Sequence, residues 1–141
     1  MTVRAVNSDD AQAIHRFVCE LEDEQFNFEQ FREYYLQNIG KPNHYYLIAM
    51  DGETPAGYIS CHGQILLHHL GMVYEIQELY VSKEYRGQGI GRLLLNAIET
   101  LIGKEKYELL EVASNMRRTE AHEFYLKNGF ERTSYKFKKS K

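Results

Sequence analysis

One segment constrains the fold of this chain more than any other. From Val73 to Val81 the residues read as a strand, Val-Tyr-Glu-Ile-Gln-Glu-Leu-Tyr-Val. From Ile90 onward, Leu94, Ala97, Ile98 and Leu101 recur every three to four positions, as on the apolar face of a helix. Between the two lies Arg86-Gly87-Gln88-Gly89-Ile90-Gly91. A strand that passes through a glycine cluster into a helix gathers backbone N–H groups and the positive end of the helix dipole at one point. That is where a phosphate or pyrophosphate can be cradled. Glycine suits the position because no Cβ keeps a ligand away from the backbone. Two nucleotide loops are excluded by the residues themselves. A P-loop needs Gly-x-x-x-x-Gly-Lys-[Ser/Thr], which this chain lacks, and a dinucleotide loop would need glycine at position 92, which is Arg92.

The elements around this segment predict a mixed α/β sheet with helices on both faces. Residues 2–6 alternate as a short strand, and Ser8 is read as the N-cap of a helix carrying Ala11, Ile14, Val18 and Leu21. A second helix is expected over 28–38, rich in aromatic residues and stopped by Gly40-Lys41-Pro42. Strands are expected at 45–50 and, after the Asp51-Gly52 turn, from 56 to 62 with a continuation toward 68. Beyond the central helix, which ends near Gly103, come a strand at 109–113, a helix at 118–128 closed by Gly129, and a last strand at 130–138.

A chain of 141 residues accommodates one ordinary domain, taken as 1–141. No apolar run approaches the roughly 18 residues of a membrane span. Met1 leads into a polar stretch with no secretory pattern, and two cysteines, Cys19 and Cys61, form no disulfide framework. A cytoplasmic protein is therefore expected. The formal net charge of −3 argues against a nucleic-acid binder. It hides a gradient: residues 1–40 carry 3 basic and 8 acidic side chains, and residues 112–141 carry 8 and 3. Such runs are ordinarily solvated faces, and the basic end could also help hold an anion.

Arg86, Gly89 and Gly91 match the pattern Arg/Gln-x-x-Gly-x-Gly/Ala, which resembles the acetyl-CoA loop of the GNAT N-acetyltransferase superfamily. Further on, Asn115 and the run Ala121, Phe124, Tyr125, Gly129 and Phe130 resemble the family's last helix, in the right order and spacing. The resemblance implies the GNAT fold and acetyl-CoA as cosubstrate. It implies that N–H groups of Arg86, Gly87, Gln88, Gly89, Ile90, Gly91 and Arg92 hold the pyrophosphate. The pantetheine amides would pair with the strand edge at Leu79, Tyr80 and Val81, and Asn115 would bond the pantetheine arm. An N–H near Leu79 could serve as an oxyanion donor. Tyr125 would protonate the departing thiolate, against the alternative of a packed core aromatic. Glu78 is the leading base for the acceptor amine, against merely orienting it. Glu75, expected to face the other way, is the weaker candidate.

Within the superfamily, nearly the whole chain is similar to the bacterial aminoalkylphosphonate N-acetyltransferases. The similarity is carried by Leu67-His68-His69, by Glu75-Ile76-Gln77-Glu78-Leu79, and by Ala121-His122-x-Phe124-Tyr125-Leu126. It implies a small aminoalkylphosphonate as acceptor and an associated divalent metal. Departures at Leu66, Met72 and Tyr74 lie beside the expected acceptor pocket. Other amines, such as a polyamine, an amino sugar or a protein amine, remain alternatives, as does a non-catalytic acetyl-CoA-binding module. Arg117 and Arg118 could meet the acceptor's anion, the cofactor phosphates or solvent. His62, His68 and His69 lie close in sequence to Glu75 and Glu78, but the adjacent pair on a strand would point to opposite faces. The 28–39 helix could form an acceptor lid or a homodimer contact.

Overall fold

The alternating segments assemble into one five-stranded sheet with spatial order β1-β2-β3-β4-β5, in a computed structural model that describes all 141 residues. The strands are β1 (Thr2–Ala5), β2 (His44–Asp51), β3 (Thr54–Leu66), β4 (Gly71–Val81) and β5 (Leu109–Val112). The helices are α1 (Ala11–Glu22), α2 (Phe28–Ile39), α3 (Ile90–Ile102) and α4 (Thr119–Lys127). The first four strands are mutually antiparallel, and β5 joins β4 in parallel after the α3 crossover. The sheet is therefore mixed, as the element order predicts.

Each face of the sheet has its own core, and strand alternation decides which residue goes where. On one face Leu47, Ala49, Ile59, Cys61, Tyr74 and Ile76 meet Leu94, Leu95, Ile98 and Ile102 of α3. On the other face Ile48, Met50, Tyr58 and Tyr80 meet Ile14 and Phe17 of α1 and Tyr35 of α2. Buried Cys61 is an inert packing residue, its thiol pushed up to about 12 by burial and then by Glu75.

Alternation is interrupted once at a point that matters. Cys61 pairs with Ile76 and Ser60 pairs with Glu78, so Gln77 is an extra residue on β4. Before this bulge Tyr74 and Ile76 face α3, and after it Glu78 joins Tyr58 on the α1–α2 side. The expectation that Glu75 and Glu78 face opposite ways is corrected by the bulge, which brings both to one face. β5 matches β4 only from Val73 to Ile76. From the bulge to Val81, the β4 edge toward β5 has no strand partner.

Three other expectations are corrected. Asn7, not Ser8, is the N-cap: its side chain accepts from the Asp9 N–H at 2.9 Å, and Ser8–Asp10 form a 3-10 turn before α1. Buried Asp10 sets this geometry by bonding the Asn7 N–H and both terminal nitrogens of Arg4. His68 and His69 lie in a 3-10 turn (Leu67–His69) at the tip of the β3–β4 hairpin, not on a strand. Residues 130–138 form no strand, and Tyr135 and Phe137 are exposed.

Gly57 holds β3 against the site-bearing end of β4. A Cβ there would lie 2.5 Å from the Tyr80 carbonyl oxygen and 3.2 Å from the Val81 Cα. Both are backbone atoms that cannot rotate away. Gly57→Ala is expected to destabilise the chain by roughly 1–3 kcal/mol. Denaturant unfolding checks this, and an unchanged midpoint would refute the close packing of β3 on β4 as its cause.

Candidate active site

Glu78 is held from two sides. Its Oε1 accepts from the Tyr58 hydroxyl at 3.0 Å and from the Ser60 hydroxyl, while the Glu78 N–H donates to Ser60 Oγ at 3.1 Å. Ser60 thus clamps the backbone and the carboxylate of one residue and fixes its rotamer. Both donors use Oε1, which leaves Oε2 for a ligand. Tyr58 stays a phenol, its pKa raised well above the usual value by burial and then by the Glu78 charge.

The carboxylate opens into a cavity of about 400 Å³ between the sheet and helices α1 and α2. Phe31, Tyr34 and Tyr35 of α2 form one wall, so the aromatic helix covers the cavity. Tyr46 and Tyr58 form the sheet side, and Asn27, Gln30 and Asn38 supply amides. No lysine, arginine or histidine lines it.

Next to Glu78 runs the unpaired β4 edge. The Ser82 N–H donates to the Ala56 carbonyl on the β3 side at 2.8 Å. Because N–H groups alternate along a strand, those of Leu79 and Val81 point away from β3, toward the gap beside β5. At the end of the edge the chain enters the glycine loop. Gly87 and Gly89 adopt φ of 76° and 79°, a left-handed conformation that favours glycine. Gly89 is the N-cap of α3 and makes no side-chain cap bond, so the first N–H groups of the helix remain available to a ligand. Gly91 allows Phe124 of α4 to pack close, since a Cβ would sit 3.3 Å from its ring. Gln88 donates to the Glu84 carbonyl at 3.3 Å, and Arg92 is exposed. The Arg86 side chain folds back on β4, donating from Nε to the Val81 carbonyl at 3.1 Å with its guanidinium over the Tyr80 ring.

The remaining expected residues cluster around α4. Tyr125 packs edge-to-face against Phe124 and Phe130, with centroids 5.5 Å away in each case. Burial raises its phenol pKa and the Arg118 charge pulls it partly back. The Asn115 Oδ1 accepts from the Arg117 N–H at 2.9 Å, which commits that oxygen to the turn before α4 and leaves its amide nitrogen. Arg118 is engaged in the fold: it donates to the Leu21 carbonyl at 2.9 Å and lies 3.5 Å from Glu22, tying α4 to the end of α1. Arg117 is exposed. Neither arginine lines the cavity.

The residues present do not fit a divalent metal. No three His, Cys, Asp or Glu side chains converge, and the Nε2 of His62 is occupied by the Tyr46 hydroxyl at 2.7 Å. Tyr46, Tyr58, Ser60 and Asn38 escape the sequence reading. Tyr58 and Ser60 share a strand face by spacing, but their meeting with Glu78 depends on register and on the bulge.

A strand with an open edge, a glycine loop at a helix start and a carboxylate at the floor of an adjacent cavity thus lie together around one end of β4. The family model of the acetyltransferase (GNAT) domain matches residues 42–132. The chain belongs to this GNAT family and is an N-acetyltransferase. It is 34% identical over 138 residues to an aminoalkylphosphonate N-acetyltransferase of Salmonella typhimurium, covering 98% of this chain and 90% of that one. Two solved structures share the fold. An aminoglycoside N-acetyltransferase in complex with CoA superposes with a TM-score of 0.87 at 13% identity, covering 99% of this chain and 93% of that one. A transcriptional regulator from Bacillus halodurans C-125 superposes with a TM-score of 0.86 at 20% identity, covering 99% and 98%. No helix is long and apolar enough to cross a membrane.

Proposed function

We propose that this enzyme transfers the acetyl group of acetyl-CoA directly to the primary amine of a small molecule within a ternary complex. One observation carries the reading: Glu78, with Oε2 free, stands at the floor of the aromatic cavity on the strand whose unpaired edge leads to the glycine loop. The ammonium of the acceptor gives a proton to Glu78, and the neutral amine attacks the thioester carbonyl carbon. The Leu79 N–H faces the gap and stabilises the oxyanion. The adduct nitrogen gives its second proton to solvent, collapse breaks the C–S bond, and Tyr125 protonates the thiolate and regains a proton from solvent. Glu78 returns the first amine proton to solvent, leaving the amide and CoA. The Arg86 N–H donates to the Lys83 carbonyl at 3.4 Å, so of the expected Arg86–Arg92 donors those of Gly87 to Arg92 take the pyrophosphate, and the Leu79–Val81 edge and Asn115 take the pantetheine arm.

An aminoalkylphosphonate is the acceptor that likeness to the Salmonella enzyme supports. Exposed Arg117 is the cation left free to meet its phosphonate. One observation favours a second reading, an amine with no anionic group: the cavity around Glu78 has no basic side chain. Saturating acetyl-CoA is expected to raise the melting temperature, with a stabilisation of about 2.7 kcal/mol at a hundredfold excess over Kd. An unmoved melting temperature with both acetyl-CoA and CoA would sink the reading. Comparing kcat/KM for 2-aminoethylphosphonate and 2-phenylethylamine then decides between the acceptors.

A further inference from the structure

The hydroxyl of Tyr46 is the one polar group of the cavity's sheet side that the reaction above leaves without a task. It lies on β2, two strands away from Glu78, and lines the same cavity. Asn38 of α2 donates to it from Nδ2 at 3.0 Å. An amide nitrogen can only donate, so this bond uses one oxygen lone pair of Tyr46. The second partner is His62 Nε2, at 2.7 Å. Imidazole nitrogen is a much stronger acceptor than phenol oxygen, and phenol is the stronger donor; this ranking assigns the ring proton of His62 to Nδ1 and the Tyr46 O–H to Nε2. His62 is neutral and able to accept, its pKa pushed down to about 4 by burial and then by the nearby His44 and Lys41 charges. Its ring is held in place by stacking on His44, with centroids 3.9 Å apart. The proton of Tyr46 is therefore spent outward, away from the ligand.

We propose that Tyr46 is a second amine-binding group, presented to the acceptor as a pure hydrogen-bond acceptor because Asn38 and His62 fix its polarity. This rests on the amine-acetylation reading above and extends it. One N–H of the bound ammonium would meet Glu78 Oε2 and another the remaining lone pair of Tyr46. Two acceptors at fixed positions orient the nitrogen and select an amine with at least two N–H groups. His62 never touches the substrate; it is a positioning residue that keeps the Tyr46 proton out of the cavity.

The test uses the full chain with 2-aminoethylphosphonate and 2-phenylethylamine, scored by CoA release. Tyr46→Phe is expected to raise the acceptor KM about tenfold, with the acetyl-CoA KM held and the melting temperature lowered by loss of the Asn38 and His62 bonds. The N-trimethylated form of each probe has no N–H, so its inhibition constant should be the same in wild type and Tyr46→Phe. His62→Leu leaves the Tyr46 proton free to turn inward and should also raise the acceptor KM. His62→Gln supplies an amide oxygen to accept that proton and should restore most of the loss. The proposal is overturned if Tyr46→Phe leaves the acceptor KM within about twofold of wild type. It is equally overturned if the trimethylated probe weakens as much as the primary amine, or if His62→Gln is as impaired as His62→Leu. An active wild type with an unaffected Tyr46→Phe sinks this assignment alone. A wild type that releases no CoA with either amine overturns the acetylation reading and this assignment with it.

Discussion

Replacing Glu78 by glutamine is expected to lower kcat about 10²–10⁴-fold at neutral pH, the range a positioned general base contributes. The fold should tolerate the change. Glutamine has nearly the same shape, and its Oε1 still accepts from Tyr58 and Ser60, the two donors that hold the carboxylate. The acetyl-CoA KM should stay unchanged, because the contacts proposed for the cofactor lie along the open edge of β4 and in the glycine loop. The pH profile gives the sharper signature. An alkyl ammonium loses its proton near pH ~10 without help. The variant should therefore gain rate with rising pH as neutral amine accumulates, and its deficit should narrow. If Glu78 only orients the amine, the acceptor KM rises while kcat keeps its wild-type pH profile. That outcome, or an unchanged kcat, removes Glu78 as the base.

The parts of this site that were legible in the sequence are those made by neighbours in the chain. The strand, glycine loop and helix from 73 to 102 are continuous, so periodicity and glycine placement reveal them together. Composition leaves the aromatic helix open between an acceptor lid and a homodimer contact, and only the assembled fold puts Phe31, Tyr34 and Tyr35 on the cavity. What the sequence hid is pairing. Nothing local marks Gln77 as the residue skipped between Ile76 and Glu78, yet that skip turns Glu78 toward Tyr58 and Ser60. The partners of Tyr46 come from α2 and β3, 8 and 16 residues away, and only the assembled sheet brings them together. Residues 130–138 show the converse error. Their alternation satisfies the pattern of a strand, but a strand also needs an edge to pair with, and β5 is only 4 residues long. The arginines show why charge is a poor guide to ligands. Arg118 looks free in the sequence, but the helix end of α1 offers the Leu21 carbonyl and the Glu22 carboxylate, and it is held there.

Tyr125→Phe is the second substitution with a large expected effect, and its argument starts from packing. The ring is wedged between Phe124 and Phe130 in edge-to-face contacts that phenylalanine reproduces. Stability should fall by about 1 kcal/mol or less, since one hydroxyl is lost and no ring contact. Acetyl-CoA binding should hold, because the proposed pyrophosphate and pantetheine contacts lie elsewhere. Turnover should drop about 10²-fold, the lower end of what a general acid supplies. Burial, only partly offset by Arg118, keeps the phenol protonated beyond the usual tyrosine range. A group that must be protonated to act loses its function as pH rises through its pKa. The wild-type kcat should consequently show a falling alkaline limb above pH ~10, and the phenylalanine variant should lack it. Measured turnover of Tyr125→Phe within threefold of wild type, with that limb intact, would make Tyr125 a packing residue and leave the thiolate to take its proton from water.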